Sequence, residues 1–258
     1  MITKLKNIFK KKYQDLYVKK TLLDLKNNRK AKKLIKIFCF KIEYVDSLSL
    51  YWEIKNIFQN KIYYFPSNKK KPFIIDCGSY IGASILYFKT VYPQAEILGF
   101  EPDSRIYRIL QRNIKKNNLK NVVVINAGVG GKQRILKFFQ DAKDGGSFYK
   151  INKGNPIKVY VKKLSGYIDK PVDLLKMNIE GAEYQVVKEI EKKLHLIKEI
   201  IIEYHCFDSL EQNLHKILAI LDKNGFKYLI AEIARFQVKT PFVLKKSYKY
   251  FNLIYAKK

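Results

Sequence analysis

Cysteine is scarce in this sequence, and long apolar runs are absent. The 258 residues include three cysteines, Cys39, Cys77 and Cys206, and none of them forms a CxxC pair or a metal-ligand spacing. This argues against a disulfide framework and favours a reduced, cytoplasmic setting. No stretch reaches the roughly 18 uninterrupted apolar residues that a membrane-spanning helix needs. Lysines interrupt the N-terminal segment where a secretory signal would be apolar.

Acidic residues are also few. The 23 Asp and Glu residues stand against 51 Lys and Arg, which gives a formal net charge of +28. Residues 1–71 carry 19 basic and 5 acidic residues, so half of the net charge lies on little more than a quarter of the chain. Such an excess fits an anionic partner, namely a membrane surface, a nucleic acid or a phosphorylated substrate, and it equally fits a solvated lysine-rich surface. An apolar content of 47% supports a folded core.

The N-terminal region predicts a basic amphipathic helix. Apolar residues recur there at helical spacing while lysines fill the opposite side. The apolar positions are Leu5, Ile8, Phe9, Tyr13, Leu16 and Tyr17. Such a helix either lies on an anionic membrane surface, peripheral to the inner face of the membrane, or packs its apolar stripe on its own domain. We therefore expect residues 1–65 to form a basic helical cap region, with both interpretations open.

A polar loop between Pro66 and Pro72 marks the start of the predicted catalytic domain, residues 66–258. After this loop, short apolar runs alternate with longer helical patterns, which predicts an α/β fold with a mostly parallel sheet and helices on both faces. Two alternating runs around Gly145 and Gly146 predict a hairpin inserted at about 134–163. Ligands of such sheets bind at the carboxyl ends of the strands, so we expect the chemistry there.

The first predicted strand runs into a loop that suits a nucleotide-like cofactor. The loop reads Asp76-Cys-Gly-Ser-Tyr-Ile-Gly82. Gly78 permits a tight turn with close backbone approach, and Gly82 lets the following helix lie close to the strand. The next strand ends in Glu101, followed by Pro102. An acid at that position can accept hydrogen bonds from both hydroxyls of a ribose.

NAD and S-adenosylmethionine both contain such a ribose, and the glycine pattern separates them. A dinucleotide site needs GxGxxG because a pyrophosphate must approach the backbone at a helix N-terminus. This loop instead has Asp76 before the first glycine, and the bulky Tyr80 and Ile81 within it. A carboxylate that faces the loop suits the amino and sulfonium groups of S-adenosylmethionine. The sequence therefore favours S-adenosylmethionine as the cofactor.

Five segments together resemble the FkbM family of S-adenosylmethionine-dependent methyltransferases. In chain order they are Asp76-Cys-Gly-Ser-Tyr-Ile-Gly82, Gly99-Phe-Glu-Pro-Asp103, Asn113 with Asn117, Leu174-Leu-Lys-Met-Asn-Ile-Glu-Gly-Ala-Glu183, and Ile202-Glu-Tyr-His205. The resemblance covers about residues 72–231, and the LKxxxEGAE block is its most specific part. It implies a class I, Rossmann-like methyltransferase fold with a seven-stranded sheet. It also implies methyl transfer to a hydroxyl oxygen of a small molecule or sugar.

The resemblance implies roles for single residues on the cofactor side. The loop would hold the methionine end, the next strand end would hold the ribose, and the third strand end would lie by the adenine. The corresponding residues are Asp76, Gly78, Ser79, Tyr80 and Gly82 in the loop, Glu101 and Pro102 at the ribose, and Asn126 and Ala127 at the adenine.

On the acceptor side, Glu180 and Glu183 match the family's EGAE, and Glu203 and His205 match its E-x-H strand end. His205 is the candidate base for the hydroxyl proton, because it shares a face with Glu203 at the end of a central strand and Glu180 can reach the same space. The alternative is a hydrogen-bonded core histidine. One position departs from the family, which usually has Asp where this chain has Asn178. An amide cannot act as a base, but it can position an oxygen by hydrogen bonds, so the catalytic candidates are His205, Glu180 and Asn178. We predict no metal site.

Two other functions stay open beside an O-methyltransferase for a small or glycan-like substrate, anionic or lipid-linked. The high positive charge motivates a nucleic-acid methyltransferase. Such enzymes commonly carry an (Asp/Asn)-Pro-Pro-(Tyr/Phe) segment, however, and the corresponding Asn178-Ile-Glu-Gly lacks both prolines and the aromatic residue. Asn178 and the basic N-terminal helix together motivate a membrane-surface binding protein that keeps the fold without catalysis.

Overall fold

The structure is a computed structural model, and it describes residues 17–27, 34–139, 156–207, 211–232 and 249–258. The helices are α1 (residues 17–27), α2 (Ser47–Glu53), α3 (Ala83–Val91), α4 (Ser104–Lys116), α5 (Glu183–Glu189) and α6 (Leu214–Lys223). A π-helical segment, Ile54–Gln59, continues α2, and 3₁₀ turns occupy Leu164–Tyr167 and Glu191–Leu196. The strands are β1 (Leu34–Ile37), β2 (Phe40–Glu43), β3 (Phe73–Cys77), β4 (Glu96–Phe100), β5 (Val122–Ile125), β6 (Gly128–Val129), β7 (Arg134–Phe139), β8 (Pro156–Lys162), β9 (Val172–Met177), β10 (Ile197–Phe207), β11 (Lys227–Glu232) and β12 (Lys249–Lys257).

Seven of these strands form one sheet in the order β11-β12-β10-β9-β3-β4-β5. The ladders that join β10, β9, β3, β4 and β5 are all parallel, whereas β12 is antiparallel to both of its neighbours. Parallel neighbours need long crossover connections, which α3, α4 and α5 supply. The predicted Rossmann-like fold with a mostly parallel seven-stranded sheet is confirmed.

The two faces of the sheet bury separate apolar clusters, because alternate residues of a strand point to opposite faces. The first cluster lies against α5 and α6 and includes Ile75 and Leu175. The second lies against α3 and includes Ile74, Leu174 and Ile201. This alternation decides which side chains share a face where the strands end.

The N-terminal region contains a β-hairpin that the sequence pattern did not predict. β1 and β2 pair antiparallel and are four residues long each. Strands this short show too little periodicity to be distinguished from a helix. The hairpin and α2 bury one cluster together with α3, α4 and the loop before α3; its members include Ile37, Ile42, Leu50, Ile54, Ile81, Leu86, Ile106 and Ile109. The hairpin therefore shares a core with the main sheet's helices.

Most of the predicted basic helix lies outside the described residues, and Tyr17 is the one member of its apolar stripe within them. Tyr17 is exposed, and its hydroxyl donates to the carbonyl of Lys36 at 2.8 Å. The buried stripe of α1 is Val18, Leu22 and Leu25, which pack into the cluster of the hairpin. For α1 the structure thus supports packing on its own chain. Among the described helices, none has the length and apolar character needed to cross a membrane.

A small second sheet follows β5. In it, β7 and β8 pair antiparallel, and β6 pairs in parallel with β8. Both strands of the β7–β8 pair lie within the range of about 134–163 for which a hairpin was predicted. The predicted turn at Gly145 and Gly146 lies outside the described residues.

Candidate active site

Polar side chains gather at the carboxyl ends of three neighbouring strands, on the face of the second cluster. They are Asp76 on β3, Lys176 and then Asn178 at the end of β9, and Glu203 and His205 on β10. Asp76, Lys176 and Glu203 each lie two residues after a buried apolar residue of that cluster. Asn178 and His205 lie a further two residues along, so the same alternation places all five on one side of the sheet. Because the strands are parallel neighbours, their ends bring these side chains to one edge. This is the edge where parallel sheets bind ligands.

The loop after β3 fits against the loop after β9 without space for a side chain. Gly78 has a φ of +82°, and a Cβ on it would lie 1.9 Å from the carbonyl oxygen of Asn178. The amide of Asn178 in turn donates to the carbonyl of Cys77 at 3.0 Å. Position 78 therefore requires glycine both for its left-handed backbone and for its contact with the second loop.

Backbone hydrogen bonds hold the same loop against the end of β4. The amides of Gly78 and Ser79 both donate to the carbonyl of Phe100, at 3.0 and 2.9 Å. Tyr80 has a φ of +46°, which is uncommon for a residue other than glycine, and its amide donates to Oε2 of Glu101 at 2.9 Å. Main-chain groups thus determine the loop's shape.

Gly82 begins α3 in a left-handed conformation, with a φ of +96°. A Cβ at this position would lie 2.7 Å from Cδ1 of Leu110 on α4. We predicted that Gly82 lets α3 lie close to its strand. In the structure its lack of a side chain instead makes room for α4.

Glu101 is a buried carboxylate that accepts a backbone hydrogen bond on each oxygen. The donors are the amides of Tyr80 and Asp103, both at 2.9 Å. Burial raises the pKa of Glu101 to about 8, while these hydrogen bonds and the charge of Lys176 act in the opposite direction. A buried carboxylate is stabilised in its ionised form by each further hydrogen-bond donor. The vicinal hydroxyls of a ribose are donors of that kind, so the residue fits a nucleoside.

Asn126 supports the turn that follows Glu101. Its Nδ2 donates to the carbonyls of Glu101 and Pro102 at 2.9 and 3.1 Å, and its Oδ1 accepts from Oγ of Ser104 at 2.7 Å. The adjacent Ala127 is fully buried. The four residues at positions 101, 102, 126 and 127 therefore lie together where β4 and β5 end, and the Asn126 side chain is bound to the protein's own backbone.

Asp76 and Lys176 form a buried ion pair between β3 and β9. Nζ of Lys176 lies 2.9 Å from Oδ1 of Asp76, and the two side chains are 2% and 0% exposed. The same Nζ donates to the carbonyl of Gly78 at 2.7 Å, and Oδ2 of Asp76 accepts from Oγ of Ser84 at 2.6 Å. We expected Asp76 to face the loop as a counter-charge for the cofactor, and the structure pairs it with a lysine. Lys176 is not among the site residues predicted from the sequence, although a lysine inside an otherwise apolar strand is a signal that can be seen in the sequence.

Asn178 contacts Glu203 across the ends of β9 and β10, with its Nδ2 donating to Oε2 of the carboxylate. The buried Tyr63 belongs to the same group. Burial raises the pKa of Tyr63 well above its usual value and the charge of Glu203 adds to this, while a hydrogen bond with Asn178 lowers it. Nζ of Lys176 lies 5.2 Å from the centre of the Tyr63 ring. Tyr63 precedes the predicted catalytic domain, and no sequence signal marked it.

His205 lies between two carboxylates. Its Nδ1 is 2.9 Å from Oε1 of Glu183, and its Nε2 is 3.3 Å from Oε1 of Glu180. Burial by itself lowers the pKa of His205, but the two carboxylates outweigh it and hold the pKa well above its usual value. The ring is therefore protonated at neutral pH, and both N–H groups point to carboxylates. In this state His205 lacks a lone pair that could take a proton from a substrate, although its predicted proximity to Glu180 is found.

Glu180 has a strained backbone, with a φ of +55°, and precedes Gly181 with a φ of +102°. The amide of Gly181 donates to Oε1 of Glu183 at 3.1 Å, so one carboxylate oxygen contacts both this turn and His205. Positive φ at a residue other than glycine is costly and concentrates at functional sites. The Glu180 side chain is 21% exposed, against 5% for His205 and 1% for Glu183. Glu180 is therefore the member of this group that solvent and ligands can reach.

Metal ligation and thiol chemistry have little support within the described ranges. No group of three or more His, Cys, Asp or Glu side chains in them could hold a metal ion. Cys77 is buried beside the loop, and burial raises the pKa of its thiol above the usual value. A protonated thiol of this kind is not a nucleophile.

The match to a protein-family profile shows which family has this arrangement of residues. The profile of the methyltransferase FkbM domain matches residues 76–228, which is more than half of the chain. The chain belongs to the FkbM methyltransferase family. The resemblance drawn from the motifs is confirmed, and the matched range contains the ends of β3, β4, β5, β9 and β10.

Named relatives of this family member are methyltransferases. It is 30% identical to Methyltransferase sdnD of Sordaria araneosa over 210 residues, which cover 67% of this chain and 80% of that protein. It is also 30% identical to Methyltransferase 1 of Beauveria bassiana (strain ARSEF 2860) over 176 residues, which cover 58% of this chain and 71% of that protein. Methyl transfer is thus the supported function class.

A solved structure supports the fold. The crystal structure of M. jannaschii TYW2 in complex with AdoMet aligns with a TM-score of 0.50 and 17% identity, over 88% of this chain and 87% of that one. At this identity the similarity speaks for the fold alone.

Proposed function

We propose that this family member transfers the methyl group of S-adenosylmethionine to a hydroxyl oxygen of a sugar, a glycan or another small molecule. One observation carries the proposal. The loop from Gly78 to Gly82 and the buried carboxylate of Glu101 lie where β3 and β4 end. Beside them, where β9 and β10 end, the carboxylates of Glu180 and Glu203 lie at the same edge of the sheet. The loop and the buried carboxylate suit a nucleoside. The two carboxylates at the ends of β9 and β10 suit a substrate that carries hydroxyl groups.

The cofactor side fits S-adenosylmethionine by the chemistry of its donors and acceptors. Glu101 would accept hydrogen bonds from the ribose hydroxyls, in addition to those from Tyr80 and Asp103. The loop from Gly78 to Gly82 would hold the methionine end, and Ala127 would lie by the adenine. When bound, S-adenosylmethionine supplies an electrophilic methyl group on a sulfonium. The protein's contribution is to align an acceptor oxygen with that group.

Glu203 would take the proton of the acceptor hydroxyl. The family's usual carboxylate at position 178 is replaced by an amide in this chain, and that amide donates to Glu203 on the neighbouring strand. Asn178 thereby orients the carboxylate at the sheet edge. A carboxylate in hydrogen-bond contact with a hydroxyl can act as general base. His205 would have a positioning role: its contact with Glu183 fixes the ring, and its contact with Glu180 holds that carboxylate in place as an acceptor for a second hydroxyl.

The charge of the acceptor side favours a neutral, hydroxyl-rich group at the reaction centre. Three carboxylates, Glu180, Glu183 and Glu203, lie there near one imidazolium, His205. An anionic group would be repelled by this surplus of negative charge. A phosphate or lipid anchor on the substrate would therefore bind away from this edge, on the basic surface of the chain, which also suits peripheral contact with an anionic membrane.

Methyl-labelled S-adenosylmethionine and a polyhydroxyl extract test the reaction. We expect label in the small-molecule or glycan fraction, and we expect it to survive alkali, because a methyl ether resists base and a methyl ester does not. Glu203→Gln should lower the transfer rate by about 100-fold through loss of the base, with little change in affinity for S-adenosylhomocysteine. Glu191→Gln is the matched control, since Glu191 pairs with Lys223 at the protein surface.

Other outcomes would identify the alternatives. No binding of S-adenosylhomocysteine to wild-type protein in calorimetry would overturn the assignment of the cofactor. Label released by nuclease from a nucleic-acid fraction would favour the nucleic-acid enzyme. Binding of S-adenosylhomocysteine without transfer to any fraction would favour a protein that keeps the fold and has lost catalysis.

A further inference from the structure

Asn113 on α4 and Asn117, which caps the C-terminus of α4, pair with the edge of the N-terminal hairpin as a neighbouring strand would. Oδ1 of Asn117 accepts from the amide of Lys41 at 2.9 Å, and its Nδ2 donates to the Lys41 carbonyl at 2.8 Å. One helical turn earlier, Oδ1 of Asn113 accepts from the amide of Glu43 at 2.8 Å, and its Nδ2 donates to the Glu43 carbonyl at 2.9 Å. Residues four apart lie on one face of a helix, and residues two apart lie on the same side of a strand. The two asparagines can therefore each meet one of the two β2 residues.

Asn113 makes one further contact that Asn117 does not share. Its Nδ2 also donates to the carbonyl of Ile81 at 2.9 Å, inside the loop between β3 and α3. Asn113 is 1% exposed. The remaining contact of Asn117 is with the Asn113 carbonyl of its own helix, at 2.8 Å. Asn113 therefore joins three segments of chain, namely the hairpin, α4 and the candidate cofactor loop.

Ile81 lies between two residues of the loop that have left-handed backbone conformations. The residues on either side, Tyr80 and Gly82, both have positive φ, at +46° and +96°. The Ile81 side chain is fully buried against the hairpin and α2, in one cluster with Ile37 and Ile42. The hairpin thus holds this residue by packing, and Asn113 holds it by a hydrogen bond to its carbonyl.

Charged contacts fasten the same hairpin from its exposed side. Arg112 and Lys116, which flank Asn113 on α4, both bind the carboxylate of Glu43. The hydrogen bond with Arg112 is the largest influence on that carboxylate, and its pKa is lowered to about 2. The attachment of the hairpin to α4 is therefore both buried and charged.

We infer that Asn113 is a positioning residue of the cofactor site, through which the N-terminal hairpin sets the shape of the loop from Gly78 to Gly82. This inference rests on the proposed function, because it assigns that loop to S-adenosylmethionine. It also makes the hairpin part of the cofactor-binding unit, although it precedes the predicted domain boundary at residue 66. The effect of the hairpin is transmitted through the carbonyl and the side chain of Ile81.

The test compares Asn113→Ala with Asn117→Ala, because each removes one pair of hydrogen bonds to β2 and only the first removes the bond to Ile81. The affinity for S-adenosylhomocysteine is measured by calorimetry at a temperature where both variants are folded. We expect Asn113→Ala to weaken binding by about tenfold, the equivalent of one buried hydrogen bond, and Asn117→Ala to change it by less than about twofold. Asn113→Ser, whose hydroxyl can keep one of the bonds, replaces Asn113→Ala should the latter not fold.

Amide hydrogen exchange of the ligand-free protein is a second measurement of the loop, and it does not depend on the cofactor. The amides of residues 79–82 should exchange faster in Asn113→Ala than in wild type, and they should be unchanged in Asn117→Ala. Equal affinity and equal exchange in the two variants would overturn the inference. If wild-type protein binds no S-adenosylhomocysteine, the proposed function fails, and the exchange rates alone decide whether Asn113 positions the loop.

Discussion

The cofactor end of the site, at β3 to β5, and the acceptor end, at β9 and β10, are built in different ways. At the cofactor end, glycines and main-chain amides shape the loop, and Glu101 is held by two backbone donors. At the acceptor end, charged side chains from neighbouring strands contact one another, as His205 does with Glu180 and Glu183. The first depends on local backbone conformation, and the second on partners that are distant in sequence.

This difference explains which roles a sequence can reveal. A glycine with positive φ or an acid at a strand end has the same meaning in most Rossmann-like sheets, so it can be read locally. The protonation state of His205 depends on a carboxylate 22 residues earlier in the chain. No local pattern shows whether those two groups meet. Variants at the two ends should therefore respond differently, by backbone strain at the cofactor end and by charge at the acceptor end.

The largest effect should come from Lys176→Met, because Lys176 joins the two ends. It binds Asp76 and the Gly78 carbonyl from β9, and its removal leaves a buried carboxylate without its counter-charge. We expect a loss of about 3–5 kcal/mol in the free energy of unfolding, measured with urea. The double variant Asp76→Asn with Lys176→Met should recover part of this loss. A single variant as stable as wild type would show that the ion pair is not formed.

Gly78→Ala should follow, with a loss of about 3 kcal/mol from backbone strain and steric overlap with Asn178. Gly225→Ala is the control, because Gly225 has a similar φ of +79° and nothing within 4 Å of a Cβ. That variant should lose about 1–2 kcal/mol from strain alone. Urea denaturation measures the free energy of unfolding of both variants. Equal losses in the two variants would mean that the loops after β3 and β9 do not touch.

His205→Gln should show a pH-dependent loss of stability at the acceptor end. The raised pKa means that His205 in the folded protein keeps a proton that the unfolded chain releases above pH of about 6.5. The stabilisation is therefore complete below that pH and is lost as pH rises through the raised pKa. We expect a difference of about 2 kcal/mol from wild type at pH 6, and a smaller one at pH 9.

Thermal or urea unfolding across this pH range measures the effect. His195→Gln is the control, since His195 is exposed and its Nδ1 contacts the carbonyl of Lys192. A difference between wild type and His205→Gln that grows toward pH 9 would contradict the protonated state of His205.

The smallest effect should be a pH dependence of cofactor affinity at the other end. Because the pKa of Glu101 is raised to about 8, the residue is mostly protonated at neutral pH in the ligand-free protein. The ionised form is the better acceptor for ribose hydroxyls, so affinity for S-adenosylhomocysteine should rise by about tenfold from pH 7 to pH 9. Calorimetry of wild type and Glu101→Gln separates this from titration of the ligand. A wild-type affinity that falls over this range relative to the variant would refute the assignment of Glu101.

Much of the fold could be predicted because the strands of the parallel sheet are continuous apolar runs between long helical patterns. The hairpin β1–β2 could not, since two four-residue strands carry no clear period. The same limit applies to the site. Tyr63 reaches Asn178 only through tertiary packing. Glu183, which the sequence shows only as part of the EGAE match, also fixes the charge of His205.

The contact between the two loops has a consequence for the nascent chain during translation. The carbonyl of Gly78 is bound by a lysine 98 residues later in sequence, and the carbonyl of Cys77 by the Asn178 amide. A ribosome that has synthesised the whole loop from Asp76 to Gly82 has not yet supplied either partner. Contacts at such sequence separation form late, because the intervening chain must first be ordered. The cofactor pocket therefore comes into being only after β9 has emerged and docked beside β3, however early its own residues were made.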